Sequence, residues 1–342
     1  MKVMLTKMPI KKDYTIKPTK LVNTNTGDIM IIRLGYACIS ETIEGTSSST
    51  YTYTKYKEEK DNKKLEQKIN SNLFHLKELL KYNNKNNIHF FRITSNLIPL
   101  ATKQEVKFDY FTPYQEIYQT LSKIIKEKNM RVDFHPSEYC VINSTKKEVI
   151  KASFEILKYH YNLLKYLKIK DPILVLHIGS REFGKQKSIT RFAHNFYKLP
   201  KQIQEVIAIE NDDKPFNIED CLLLSKLINR PIVFDYHHHY CNPSSSKIEQ
   251  LLPRVIKTWK TTPKVHFSSP KSKQKKEIRS HHDYIDSNEF IKFLEYLKTF
   301  NKDIDIMIEA KKKDEAMFRL IRELKYKTEI KFLDDTSFML LL

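Results

Sequence analysis

The sequence predicts a single (β/α)₈ barrel, a TIM barrel of the α/β class. Three observations predict it. Eight short β-branched or apolar runs punctuate the chain, the seven intervals between them are each long enough for a helix, and no Gly-x-Gly-x-x-Gly follows the first run. Alternating strands and helices give a parallel sheet covered by helices, and eight repeats close it sooner than they extend an open doubly wound sheet. The missing glycine fingerprint weakens a dinucleotide-binding alternative.

In chain order, residues 1–28 are polar and irregular, with Lys2, Lys7, Lys11, Lys12, Lys17 and Lys20, and are assigned to a basic N-terminal tail ahead of a barrel domain over 29–342. Met30 to Leu34 is the first strand. The Ser-, Thr- and Tyr-rich stretch 46–54 is its loop. Leu73, Leu76, Leu79 and Leu80 stand at helical spacing, and Asn83, Asn84, Asn86 and Asn87 end that helix in a turn. The remaining strands are Ile88 to Ile93, Met130 to Phe134, Ile173 to Leu176, Val206 to Ile209, Ile232 to Phe234, Lys264 to Phe267 and Ile304 to Ile308. Phe290, Phe293, Leu294 and Leu297 mark the helix before the last strand.

Composition bounds the function class. With 342 residues, 40% hydrophobic and 30% charged, the chain can bury a sizeable core. Its apolar runs fall far short of the roughly 18 residues that span a bilayer, and no secretory leader is seen, so an intracellular monomer without membrane contact is expected, its compartment open. The four cysteines (Cys38, Cys140, Cys221, Cys241) form no CxxC pair, which argues against a thiolate metal site or a disulfide framework. The formal net charge of +19 favours a polyanionic partner, nucleic acid foremost, although a lysine- and asparagine-rich chain with 5 glycines also fits a base-composition bias.

Chemistry concentrates at the C-terminal strand ends. The third strand ends at His135, the fourth at His177, the fifth at Glu210 and the sixth at Asp235 with His238 beyond; the seventh carries His266 and the eighth ends at Glu309. In a barrel these ends converge on one face. A single histidine after a strand is ordinarily a hydrogen-bonded structural residue, but six successive ends bearing ligand-type residues predict divalent metal, because buried carboxylates without a cation are costly. Imidazole and carboxylate without thiolate suit Mn²⁺, Zn²⁺, Co²⁺ or Mg²⁺. The donor count allows two or three ions, the arrangement of metal-assisted phosphodiester hydrolysis, with Glu210 bridging.

These motifs resemble the UV-damage endonuclease family, whose barrel is similar to those of endonuclease IV and xylose isomerase. The resemblance runs from Arg33-Leu34-Gly35-Tyr36 through Arg92-Ile93 with Leu97-Ile98-Pro99, His135-Pro136, Leu174 to His177, Ile209 to Asp212, Asp235 with His238, Lys264-Val265-His266, His281 with Asp283-Tyr284, and Glu309-Ala310-Lys311. It implies a manganese-preferring, ATP-independent DNA repair enzyme that nicks damaged double-stranded DNA 5′ of cyclobutane dimers and 6-4 photoproducts. It implies His135, His177, Glu210, Asp235, His238, His266, His281 and Glu309 as metal ligands, with Glu210, Lys264 and His266 catalytic. Lys264 shares a strand face with His266, and the resemblance places its amine close to the ions and open to carboxylation. Tyr36 and Tyr139 match aromatic residues used near the lesion. His237, His239 and His282 receive no role.

The chain departs from the family twice. Lys103 occupies a loop position where the family has a histidine, so it must swing away, contact phosphate, or mark a weakened metal position. Glu138 replaces a glutamine beside Tyr139, where a carboxylate would repel phosphate. Lys271, Lys273, Lys275, Lys276 and Arg279 follow the seventh strand, and Lys311-Lys312-Lys313 follow the eighth; both groups are candidate phosphate contacts. The alternatives are a sugar isomerase on the same barrel, an abasic-site endonuclease, and a DNA-binding protein that has lost its chemistry.

Overall fold

The computed structural model describes residues 29–59 and 61–342, so the basic segment 1–28 lies outside the described residues. The elements are β1 (Ile29–Cys38), α1 (Tyr53–Glu59), α2 (Asn62–Lys85), β2 (Phe90–Ile93), α3 (Gln115–Glu127), β3 (Arg131–Phe134), α4 (Lys147–Tyr166), β4 (Leu174–His177), α5 (Lys185–Phe196), α6 (Lys201–Gln204), β5 (Ile207–Glu210), α7 (Ile218–Ile228), β6 (Ile232–Asp235), α8 (Tyr236–Cys241), α9 (Ile248–Ile256), β7 (Lys264–Phe267), α10 (Ser287–Leu297), β8 (Ile304–Ile308), α11 (Lys313–Lys327), β9 (Lys331–Phe332) and β10 (Ser337–Leu341). Strands β2 to β8 pair in parallel in chain order, β8 pairs with β1, and β1 pairs with β2, which closes the predicted eight-stranded barrel.

Two features differ from the sequence expectation. First, β1 extends to Cys38, because Gly35 to Cys38 pair with Phe90 to Ile93. A Cβ at position 35 would collide with the Phe90 carbonyl, so only glycine lets the two strands approach there. Second, β10 runs antiparallel to Ile29–Arg33 and β9 pairs with β10, adding a hairpin to the lower half of β1.

The core between barrel and helices is continuous, drawing on β-strand residues such as Ile32, Leu34 and Ile306 and on helix residues such as Leu73, Leu76, Phe290 and Leu324. The barrel interior is charged in layers. At the floor, Asp305 accepts from Arg33 Nε at 2.6 Å and from Arg131 Nη1 at 2.6 Å. Above it, Lys264 donates to Asp133, and Arg92 Nε lies 3.3 Å from the other oxygen of Asp133. Each buried charge has an opposite partner, without which its desolvation would be prohibitive. The four cysteines are free, and no described helix is long and apolar enough to cross a membrane.

Candidate metal centre

Strand register assembles the site. His177 pairs with Glu210 across β4 and β5, and Asp235 with His266 across β6 and β7, so the donors come as two side-by-side pairs at the C-terminal rim. Glu210, 1% exposed, lies at their centre. Its Oε2 is 2.8 Å from His135 Nε2 and 3.5 Å from His177 Nε2; its Oε1 is 2.6 Å from His266 Nδ1 and 3.7 Å from His238 Nδ1. Two donor groups therefore share this one carboxylate: His135, His177 and Glu210, and Glu210, Asp235 and His266.

Surrounding carbonyls fix the rings. A carbonyl only accepts, so His135 Nδ1 donates to Pro136 O at 3.0 Å, His238 Nδ1 to Asn211 O at 2.9 Å and His281 Nδ1 to Glu309 O at 2.6 Å. That leaves Nε2 of each ring as the nitrogen that would face an ion once it has given up any proton, the orientation that metal-bound histidines ordinarily receive from such partners. Asp235 Oδ2 and His177 Nδ1 are buried without hydrogen-bond partners. A neutral protein would leave such atoms costly, whereas a cation beside Asp235 offsets the carboxylate charge. The residues present fit divalent metal.

The electrostatics agree. Burial alone would raise the Glu210 pKa, but the imidazoles of His266 and His177 outweigh it and hold the carboxyl well below its usual range. Burial likewise opposes ionisation of Glu309, and the Arg92 guanidinium overcomes it. Desolvation pushes His177 down to about 4, keeping it a neutral donor. His238 is the exception: it rises to about 9 because Asp235 and Glu210 outweigh its burial, so this ring has to release a proton before it can hold an ion.

Several predicted residues fall elsewhere. Tyr36 is fully buried, donates to Asn83 Oδ1 at 2.7 Å and packs 5.1 Å from the Phe91 ring, so it is a core residue under α2 and is not placed to meet DNA. Lys264 does share an interior face with His266, but its partner is Asp133; burial brings its amine down to about 8, with Asp133 partly opposing. Lys103 has swung toward Tyr53, its amine 5.7 Å from that ring centroid. His281 sits at the edge, 6.5 Å ring to ring from His238. Of the unassigned histidines, His237 is buried 5.2 Å from the His281 ring, His239 packs on Phe234, and His282 is exposed.

Sequence reasoning assigned Arg92 no role of its own. Its Nη1 donates to Glu309 Oε1 at 2.5 Å and its Nη2 lies 2.7 Å from His266 Nε2, joining the centre to Asp133 and Lys264 below. The signal was present. Arg92 is the one charged residue of β2, and it pairs directly in register with Asp133 of β3.

Around the rim, Tyr139 is 74% exposed and Glu138 beside it is exposed. In the loop after β7, Lys271 pairs with Glu277, while Lys273, Lys275 and Lys276 are exposed and have no ion pair among the described residues.

The profile of the family described as UV-endonuclease UvdE matches residues 32–338. The UV DNA damage endonucleases of Bacillus mycoides strain KBAB4 and Bacillus cereus strain G9842 are each 40% identical over 304 residues, covering 86% of this chain and 95% of the relative. The crystal structure of SacUVDE superposes with a TM-score of 0.80 at 32% identity, covering 86% of this chain and 99% of that one. Endonuclease IV from Thermus thermophilus, at 12% identity and a TM-score of 0.55 over 86% of this chain and 100% of that one, shares the fold. With its barrel, its ordered strand-end motifs and these matches across nearly the whole described chain, the protein belongs to the UV-endonuclease UvdE family.

Proposed function

We propose that this chain is a metal-dependent DNA repair endonuclease that hydrolyses the phosphodiester 5′ of UV photoproducts in double-stranded DNA. The observation that carries the reading is Glu210, whose two oxygens each face a separate donor group at the barrel mouth. His135 and His177 would hold one ion and Asp235 and His266 a second, with Glu210 between them and His238, His281 and Glu309 completing the set. Divalent ions there would supply Lewis-acid polarisation of the phosphodiester and charge stabilisation at the departing oxygen.

The chain's own residues do the rest. Arg92 holds Glu309 and His266 in place from below. The carbonyls of Pro136, Asn211 and Glu309 keep three imidazoles aimed at the site. Lys264 supports this layer through Asp133 and takes a positioning role. The lysines after β7 and β8 neutralise backbone phosphates without reading sequence, and the exposed ring of Tyr139 is offered to unstacked bases at a lesion. Manganese is the ion that the family resemblance favours, and the imidazole and carboxylate set suits zinc, cobalt or magnesium as well.

The test is a nicking assay on a labelled duplex bearing one cyclobutane dimer, alongside undamaged and abasic duplexes, with Mn²⁺ or with EDTA and without ATP. A Mn²⁺-dependent cut 5′ of the dimer is expected. Cutting of the abasic duplex alone, or equal cutting of damaged and sound DNA, would reject the lesion assignment.

A further inference from the structure

The loop between β4 and α5 leaves the rim directly after His177 and contains a residue in an unusual situation. Phe183 is 69% exposed, and its backbone is left-handed, at φ 64°. Large apolar rings are ordinarily buried, and bulky side chains avoid positive φ; where such a conformation persists, its surroundings impose it.

The surroundings here do so. Glu182, just before it, is fixed at both ends: its carbonyl accepts from Arg191 Nη2 at 3.0 Å and from Ser188 Oγ at 3.1 Å, and its carboxylate accepts from Thr145 Oγ1 at 2.6 Å. Gly184 N closes the turn on Arg181 O at 2.9 Å. The loop is also tied to its neighbour, since Asn143 and Ser180 exchange two hydrogen bonds, at 2.7 and 2.9 Å. That neighbour, between β3 and α4, carries Tyr139. Two cross-braced loops, which leave the barrel just after the donors His135 and His177, thus each carry an exposed aromatic ring.

We propose that Phe183 is a second aromatic probe, which stacks on an unstacked base at the damaged step while Tyr139 engages the same distortion. The ligand is a nucleobase face within a duplex weakened by damage. Such stacking is indifferent to sequence, which suits a reader of distortion, and a weakened step costs less to open than a sound one. The inference rests on the DNA repair reading above.

Two substitutions at this exposed position test it, with binding measured in EDTA to a duplex carrying one cyclobutane dimer and to the same duplex undamaged. F183A is expected to lower the preference for the damaged duplex roughly tenfold, the scale of one lost base–aromatic stack. F183W is expected to keep that preference and to change its emission on the damaged duplex far more than on the sound one; the single native tryptophan, Trp259, is 4% exposed and supplies a constant background. Undiminished preference in F183A, or identical emission with both duplexes, overturns the role of Phe183. Nicking by the native enzyme separates the two readings. If it cuts beside the dimer while either result above is found, Phe183 alone is rejected. If it neither cuts nor prefers the dimer, both readings fall. If it prefers the dimer without cutting and F183A abolishes the preference, the probe stands and the hydrolysis does not.

Discussion

At the scale of single residues, Glu210 and Asp212 lie two positions apart and behave oppositely. Both are buried, so desolvation raises both pKa values; Glu210 faces imidazoles that reverse the effect, while Asp212 has mainly backbone donors, Phe216 N at 2.9 Å and Lys214 N at 3.0 Å, and rises to about 7. Glu210→Gln removes the anion shared by the two donor groups. Mn²⁺ affinity, followed by titration of the free-ion signal, is expected to fall at least 10- to 100-fold, the loss typical of even an outer partner of a metal; unchanged affinity would show that ions bind elsewhere. Asp212 gives a pH prediction. Its native pKa lies above the ordinary 3.8, so the native state holds more protons across roughly pH 4 to 7 and stability falls as pH rises through that window. Asp212→Asn should therefore stabilise the metal-free protein, by about 2 kcal/mol more at pH 8 than at pH 5. Melting curves in EDTA check this, and an equal gain at both pH values would contradict it.

Among the elements, the eight barrel strands were legible because parallel strands buried on both faces read as continuous apolar runs. Their terminal His, Glu and Asp residues were legible because each breaks such a run at the same end. The hairpin of β9 and β10 was not, since Lys331–Phe332 is too short for a pattern and Ser337–Leu341 depends on a partner some 300 residues away in β1. Two side chains illustrate what strand geometry adds. Arg33 faces the interior, where it meets Asp305, and Tyr36 is an odd number of residues further along the same strand, so alternation turns it outward to α2 and Asn83. Lys264 has the same parity as His266, and the shared face was read correctly. Depth was not: two residues of strand rise place Lys264 about 7 Å lower, in the layer of Asp133. Parity can be counted from sequence, whereas the layer at which a long side chain finds its partner depends on the neighbouring strands.

For the molecule as a whole, the net charge of +19 becomes a statement about DNA only through where the unpaired cations stand. In the loop after β7, Lys271 is engaged by Glu277 and Arg279 Nε lies 3.4 Å from Asp213, so their charge is already partly answered within the protein. Lys273, Lys275 and Lys276 are exposed without an ion pair among the described residues, on a loop whose far end carries His281 back to the Glu309 carbonyl. Phosphates running past the metal centre would meet these three. Each phosphate neutralised releases counterions, and the logarithm of affinity then falls with the logarithm of salt by about 0.9 per contact. Converting the three lysines to glutamine is therefore expected to flatten that slope by up to about 2.7, equally for damaged and sound duplexes, because phosphate contacts carry no information about the base. Lys271→Gln, already paired, should flatten it far less. Binding isotherms over a salt series in EDTA measure both. A triple variant with the native slope would place the DNA backbone on another part of the rim, whereas a variant that lost its slope only with damaged DNA would mean that this loop senses the lesion itself.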